Sequence, residues 1–134
     1  MRRYQDLAVW KQAMDLALAY AQPASYPDTE RYGLVSLSRG AAVSIPCNIA
    51  EGQGRSQPGE FLNQLSVARG SLQEFQTLCI LGHRLNYASR EQLEALLERS
   101  DRISRMLSGL RKTIELDRRR SRRPVQARPA DQED

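Results

Sequence analysis

The sequence has few of the residues that do chemistry. It holds one histidine, His83, and two cysteines, Cys47 and Cys79, which stand far apart. A structural zinc site takes four such ligands, so no zinc constellation can be assembled. The cysteines have no CxxC spacing, and they read as small buried hydrophobes in a reducing cytoplasm. Some small helical ribonucleases carry an arginine and a histidine four to six residues apart on one helix. Here Arg84 adjoins His83 and the preceding arginine is Arg69, so that spacing is missing. His83 itself reads as a polar residue near a helix end. Glu51, Glu60 and Glu74 are scattered and lack the Glu-x-x-His partner of a di-iron bundle. There is no GxxxxGK[ST] loop and no GxSxG, and Gly52-Gln53-Gly54-Arg55 precedes a helix instead of following a strand. These gaps together lead us to expect no enzyme, no cofactor and no metal.

Long apolar runs are also missing. No stretch approaches the ~20 residues of a membrane span. The start, MRRYQDLAVWKQ, mixes charge with apolar side chains and contains no signal-peptide core. No segment shows the β-branched alternation of a strand, and no repeat of solenoid period is visible. The 134 residues, 40% of them hydrophobic, suit one modest core.

What the sequence does have is helical periodicity. A first helix is expected over Leu7–Gln22, capped by Asp6, with Leu7, Trp10, Met14, Ala17 and Ala21 on its inner face. Pro23, Pro27 and Asp28 end it. A second begins near Thr29 or Glu30, with Leu34, Leu37, Ala41, Ile45 and Ile49 as its apolar face. It contains Pro46, which costs ~3 kcal/mol in a helix interior unless the surroundings absorb it. Gly40, Ala41, Ala42 and Ser44 are small enough for another backbone to approach, while Ser44 and Asn48 stand near the carbonyl that the proline deprives of its donor. Gly52 and Gly54 suit the helix end.

A third helix starts at Pro58, and Phe61, Leu65, Ala68, Leu72, Phe75, Cys79 and Gly82 alternate at four and three, the signature of a heptad seam. Ser89 with Gln92 reads as a capping box opening a fourth helix, whose seam is Leu93, Leu97, Ser100, Ile103, Leu107, Leu110 and Ile114. The expected fold is therefore all-α, an antiparallel up-and-down four-helix bundle with a Pro-kinked second helix. Leu62, Val67, Leu78, Ile80 and Leu81, and Leu96 and Met106, lie off the seams. They either widen the core or favour self-association.

Charge is unevenly placed. Residues 1–110 hold twelve basic and eleven acidic side chains, whereas residues 111–128 hold eight basic against Glu115 and Asp117. We therefore divide the chain into a bundle, 1–116, and a basic C-terminal tail, 117–134, expected to be frayed. Arg118, Arg119, Arg120, Arg122 and Arg123 are the candidate contacts to RNA or DNA, with Arg2 and Arg3 as helpers, because phosphate backbones attract such clusters without a sequence code. A second polar feature, Ser44, Asn48, Glu51 and Arg55, shares one face of the second helix. It is a candidate contact surface or a set of local bonds, of which the local bonds are favoured.

Three segments, YQDLAVWKQAMDLA, Glu30–Arg55 and EFLNQLSVARGSLQEFQT, resemble the four-helix-bundle proteins encoded in bacterial 23S rRNA intervening sequences, often labelled S23 ribosomal proteins. The resemblance spans roughly residues 3–115 in order and leaves out the basic tail. That family is similar in fold to the accessory variability determinant proteins of diversity-generating retroelements, which form pentamers, bind nucleic acid through a basic surface and partner a reverse transcriptase. The resemblance implies a homo-oligomer, a pentamer among the options, that contacts RNA or DNA or a protein partner. The family's SQ-x-RRA in helix two reads Ser36-Leu37-Ser38-Arg39-Gly40-Ala41 here, so one glutamine and one arginine are replaced.

Overall fold

Leu65, Ala68, Leu72, Phe75 and Cys79 recur at three and four along one long helix, and all five side chains are buried. They form the spine of the core seen in a computed structural model, which describes residues 3–20 and 26–122. Four helices surround that core: α1 (Ala8–Tyr20), α2 (Leu34–Gln53), α3 (Pro58–Arg84) and α4 (Arg90–Arg122). Short 3₁₀ turns at Tyr4–Asp6 and Asp28–Glu30 precede α1 and α2. Each helix packs on the next and α4 returns to α1, so the order around the bundle is the order in the chain. The most extensive contact joins α2 to α3. This is the expected all-α, up-and-down four-helix bundle.

The α3 seam matches expectation, and the α4 seam does so except at Leu97, whose place against the core is taken by Leu96. Ser100, Ile103 and Leu107 are buried, and Leu93, Leu110 and Ile114 pack against the core. The turn between the two helices is set by local chemistry. The Tyr87 amide donates to the Gly82 carbonyl and the Asn86 amide to that of His83, while Asn86 takes a positive φ of 65°. This is a Schellman end, with asparagine in the left-handed position where glycine is more usual. The His83 ring lies 2.9 Å, Nδ1 to oxygen, from the Ala88 carbonyl and ties the turn down. Ser89 and Gln92 form the expected capping box. The Gln92 amide donates to Ser89 Oγ at 3.1 Å and the Ser89 amide to Gln92 Oε1 at 2.8 Å.

Helix α1 is rotated relative to its expected face, while α2 buries Leu34, Ala41, Ile45 and Ile49 as expected and departs only at Leu37. On α1 the buried residues are Val9, Ala13, Leu16 and Tyr20, whereas Trp10 and Met14 sit half-buried and Leu18 is exposed. On α2 Ser38 is fully buried and Leu37 is exposed. Ser38 Oγ donates to the Leu34 carbonyl at 2.8 Å, so the burial leaves no orphan hydroxyl. Helix α2 also starts later than expected, at Leu34, because Asp28–Glu30 forms a separate 3₁₀ turn. Pro46 is buried within the otherwise unbroken α2.

Two glycines of α2 have contrasting surroundings, and Gly52 stands in its last turn as expected. Gly40 has open space around it. Gly52 is the point of close approach: a Cβ there would stand 2.8 Å from Gln64 Cβ and 2.9 Å from the Phe61 ring. Cys47 is exposed, contrary to its expected burial, while Cys79 is in the core. Of the off-seam residues, Leu62, Leu78, Leu96 and Met106 join or pack against the core, leaving Val67 and Leu81 exposed and Ile80 half-buried outside it.

Candidate nucleic-acid interface

Helix α4 continues beyond Leu116, where its apolar periodicity fades, to Arg122. Arg118, Arg119 and Arg120, expected in a frayed tail, are therefore held on a helix. They project in different directions. Arg118 turns back toward the start of α3, where its guanidinium would lie 3.3 Å from a Cβ on Gly59. Arg119 and Arg120 are exposed. Arg122 ends the helix, Arg3 is exposed before the first 3₁₀ turn, and Arg2 and Arg123 fall outside the described residues.

The helix also brings together residues that the sequence keeps apart. Arg102, Arg105, Lys112 and Arg119 are separated by three, seven and seven positions, and Arg120 follows. At 3.6 residues per turn these five share the outward side of α4, opposite Ile103, Leu107 and Ile114. All five are exposed, and none forms an ion pair among the described residues. The same side carries Glu94, Glu98 and Asp101 nearer the helix start. The outward face thus changes sign along its length. A cluster search in the sequence finds the 118–123 run but overlooks Arg102, Arg105 and Lys112; the signal that reveals them is the three-and-seven spacing.

Arg111 has a different task. One guanidinium nitrogen donates to the Leu62 carbonyl at 3.0 Å and to Ser66 Oγ, and another lies 3.9 Å from Glu115. It therefore clamps α4 to α3 and is not part of the outward strip.

The polar stripe of α2 separates into two local arrangements. Ser44 Oγ lies 2.8 Å from Ser71 Oγ of α3, and Asn48 Nδ2 donates to the Ser44 carbonyl at 2.7 Å and to its hydroxyl at 2.8 Å. Asn48 thus serves Ser44, whose hydroxyl bridges α2 to α3. Glu51 and Arg55 form a separate exposed pair at 2.7 Å. An open apolar groove lies between α1 and α2, bordered by Tyr4, Trp10, Met14, Leu18, Val43 and Cys47. Among the described residues, no group of His, Cys, Asp and Glu could hold a metal ion, and no helix is long and apolar enough to cross a membrane.

The architecture is that of an all-helical bundle whose last helix carries a charged outer face. The family model of the 23S rRNA-intervening sequence proteins matches residues 5–109, and the chain belongs to that family. The match ends inside α4, so residues 110–122 of the helix lie beyond it. A crystal structure of a protein with unknown function, from the S23 ribosomal protein family of Bacteroides thetaiotaomicron, shares the fold. Its TM-score is 0.72 at 22% identity, covering 78% of this chain and 99% of that one. No curated protein matches the sequence.

Proposed function

We propose that this protein is a non-enzymatic, self-associating helical bundle that binds RNA or DNA through charge. The observation that carries the reading is the arginine-rich end of α4. Between Arg102 and Arg122 there are eight basic side chains against Glu115 and Asp117, and Glu115 is drawn to Arg111. Exposed cations without carboxylate partners attract polyanions by releasing condensed counterions, and this requires no base-reading group. The helix macrodipole favours cations only in the last turn, so it does not account for Arg102 and Arg105. Arg118, Arg119, Arg120, Arg122 and Arg123 remain the first candidates for contact, with Arg2 and Arg3 as helpers. Self-association is supported by the α1–α2 groove with exposed Leu18 and Val43 on its border, and by exposed Leu37 elsewhere on α2. A ring of copies would multiply the field of each charged face.

The groove also favours a second reading, an adaptor scaffold that recruits a protein partner, such as a reverse transcriptase, without touching nucleic acid. Filter binding to RNA and to DNA, with the full chain and with a chain lacking residues 117–134, separates the two. The first reading expects retention by the full chain and weaker retention by the truncated one. No retention of either nucleic acid, combined with a stable oligomer, favours the adaptor.

A further inference from the structure

We infer that the outward face of α4 is a docking strip for a nucleic-acid duplex, with Arg102, Arg105 and Lys112 contributing as much as the terminal arginines. This rests on the nucleic-acid reading above and narrows it to one kind of ligand.

The strip has three properties that bear on its partner. The first is shape. From Arg102 to Arg120 the helix rises about 27 Å at ~1.5 Å per residue, comparable to most of a turn of duplex. α4 is fixed from Ile103 to Ile114 by Ile103, Leu107 and Ile114 on its inner side and by the Arg111 clamp to α3. A straight, preorganised row of cations suits a backbone that is itself stiff and regularly charged, because neither partner loses much conformational freedom on docking.

The second property is the lack of a stacking platform. Single-stranded binders present aromatic rings to successive bases. The exposed residues of this strip are arginine, lysine, small polar residues and Leu116, with no aromatic among them. Phosphates are therefore the groups it can recognise.

The third property separates a duplex from an anionic lipid surface. An interfacial helix buries its apolar side among acyl chains. The apolar side of α4 is already occupied by the bundle core, and on the outward side only Leu116 is a large exposed hydrophobe. The strip can meet a charged surface but has no band of side chains with which to enter it.

The test uses the full chain and fluorescently labelled 20-mers of one composition, as duplex and as single strand, at ~0.1 M salt. The variant carries Arg102→Gln, Arg105→Gln and Lys112→Gln together. All three positions are exposed and glutamine is a good helix former, so the fold should persist, and circular dichroism with a melting curve checks this. The native chain is expected to bind duplex at least about tenfold tighter than single strand. The variant is expected to lose about 10–100-fold in duplex affinity, since each forfeited phosphate contact removes nearly one counterion from the binding equilibrium. Equal or tighter binding to single strand overturns the inference, as does tighter binding to phosphatidylglycerol vesicles than to duplex. If the folded variant binds duplex like the native chain, the strip is wrong while the nucleic-acid reading stands. If the native chain binds neither form, both fall.

Discussion

Replacing Gly52 and Gly40 by alanine, one at a time, should move stability in opposite directions, although both glycines lie in α2. Alanine is preferred over glycine in a helix interior by up to ~1 kcal/mol. At Gly40 nothing lies within 4 Å of the added methyl, so that preference is realised in full. Gly40→Ala should therefore stabilise the bundle by roughly 0.5–1 kcal/mol. At Gly52 the methyl would stand 2.8 Å from Gln64 Cβ, 2.9 Å from Phe61 Cδ1 and 3.3 Å from the Phe61 carbonyl oxygen. None of these atoms is the free end of a flexible side chain. The close contact can be relieved only by moving α3 away from α2, and overpacking of that kind costs ~1–3 kcal/mol. After the propensity gain, Gly52→Ala should lose about 1–2 kcal/mol, seen as a fall in Tm of roughly 4–10 °C. Thermal melts and urea titrations of the three chains, followed at 222 nm, measure this. A Gly52→Ala protein as stable as the native chain would refute the close α2–α3 approach.

Cys47 should react with an alkylating reagent in the folded protein, whereas Cys79 should react only on unfolding, because the first thiol is exposed and the second is buried in the core. Intact-mass measurement with and without denaturant reads the difference directly. Stability should also fall in alkali. Burial pushes the Cys79 thiol up from 9.0 to about 12, and burial raises the Tyr20 and Tyr26 phenols as well. Between the two thiol values the folded chain keeps a proton that the unfolded chain gives up, so stability declines as pH rises above the unfolded value. Cys79 contributes at most ~1.4 kcal/mol per pH unit. Melts from about pH 8 to about pH 10.5 should show the decline, and Cys79→Ala should make it shallower.

The parts of the fold that were legible in the sequence are those governed by local rules. The heptad seam of α3, and that of α4 from Ser100 onward, read correctly because a strict alternation of three and four leaves only one face to bury, whereas at the start of α4 Leu96 packs on the core where Leu97 was expected. The Ser89–Gln92 box depends on residues three apart and needs no tertiary information. The inner face of α1 was not legible. Val9, Trp10, Ala13, Met14, Leu16, Ala17 and Leu18 surround much of that helix, so periodicity leaves its rotation open and the neighbouring helices decide it. On α2 the apolar pattern selected Leu37, but the packing arrangement places small Ser38 inward instead. The site was legible in one dimension only. A run of arginines stands out in a string of letters, while Arg102, Arg105 and Lys112 join it only when the string is wound at 3.6 residues per turn. The helical reach of α4 past Leu116 was missed for a related reason: once the core ends, nothing apolar marks the register, although arginine is itself a good helix former.

The account as a whole depends on a basic outer face attracting a polyanion. Its most direct test is the association constant of the native chain for a nucleic-acid duplex across a range of salt concentration. A steep linear fall of log K with log salt is expected, with a slope of about −4.5 if the five cations of the strip each meet a phosphate. A flat dependence, or no association even at low salt, would contradict it.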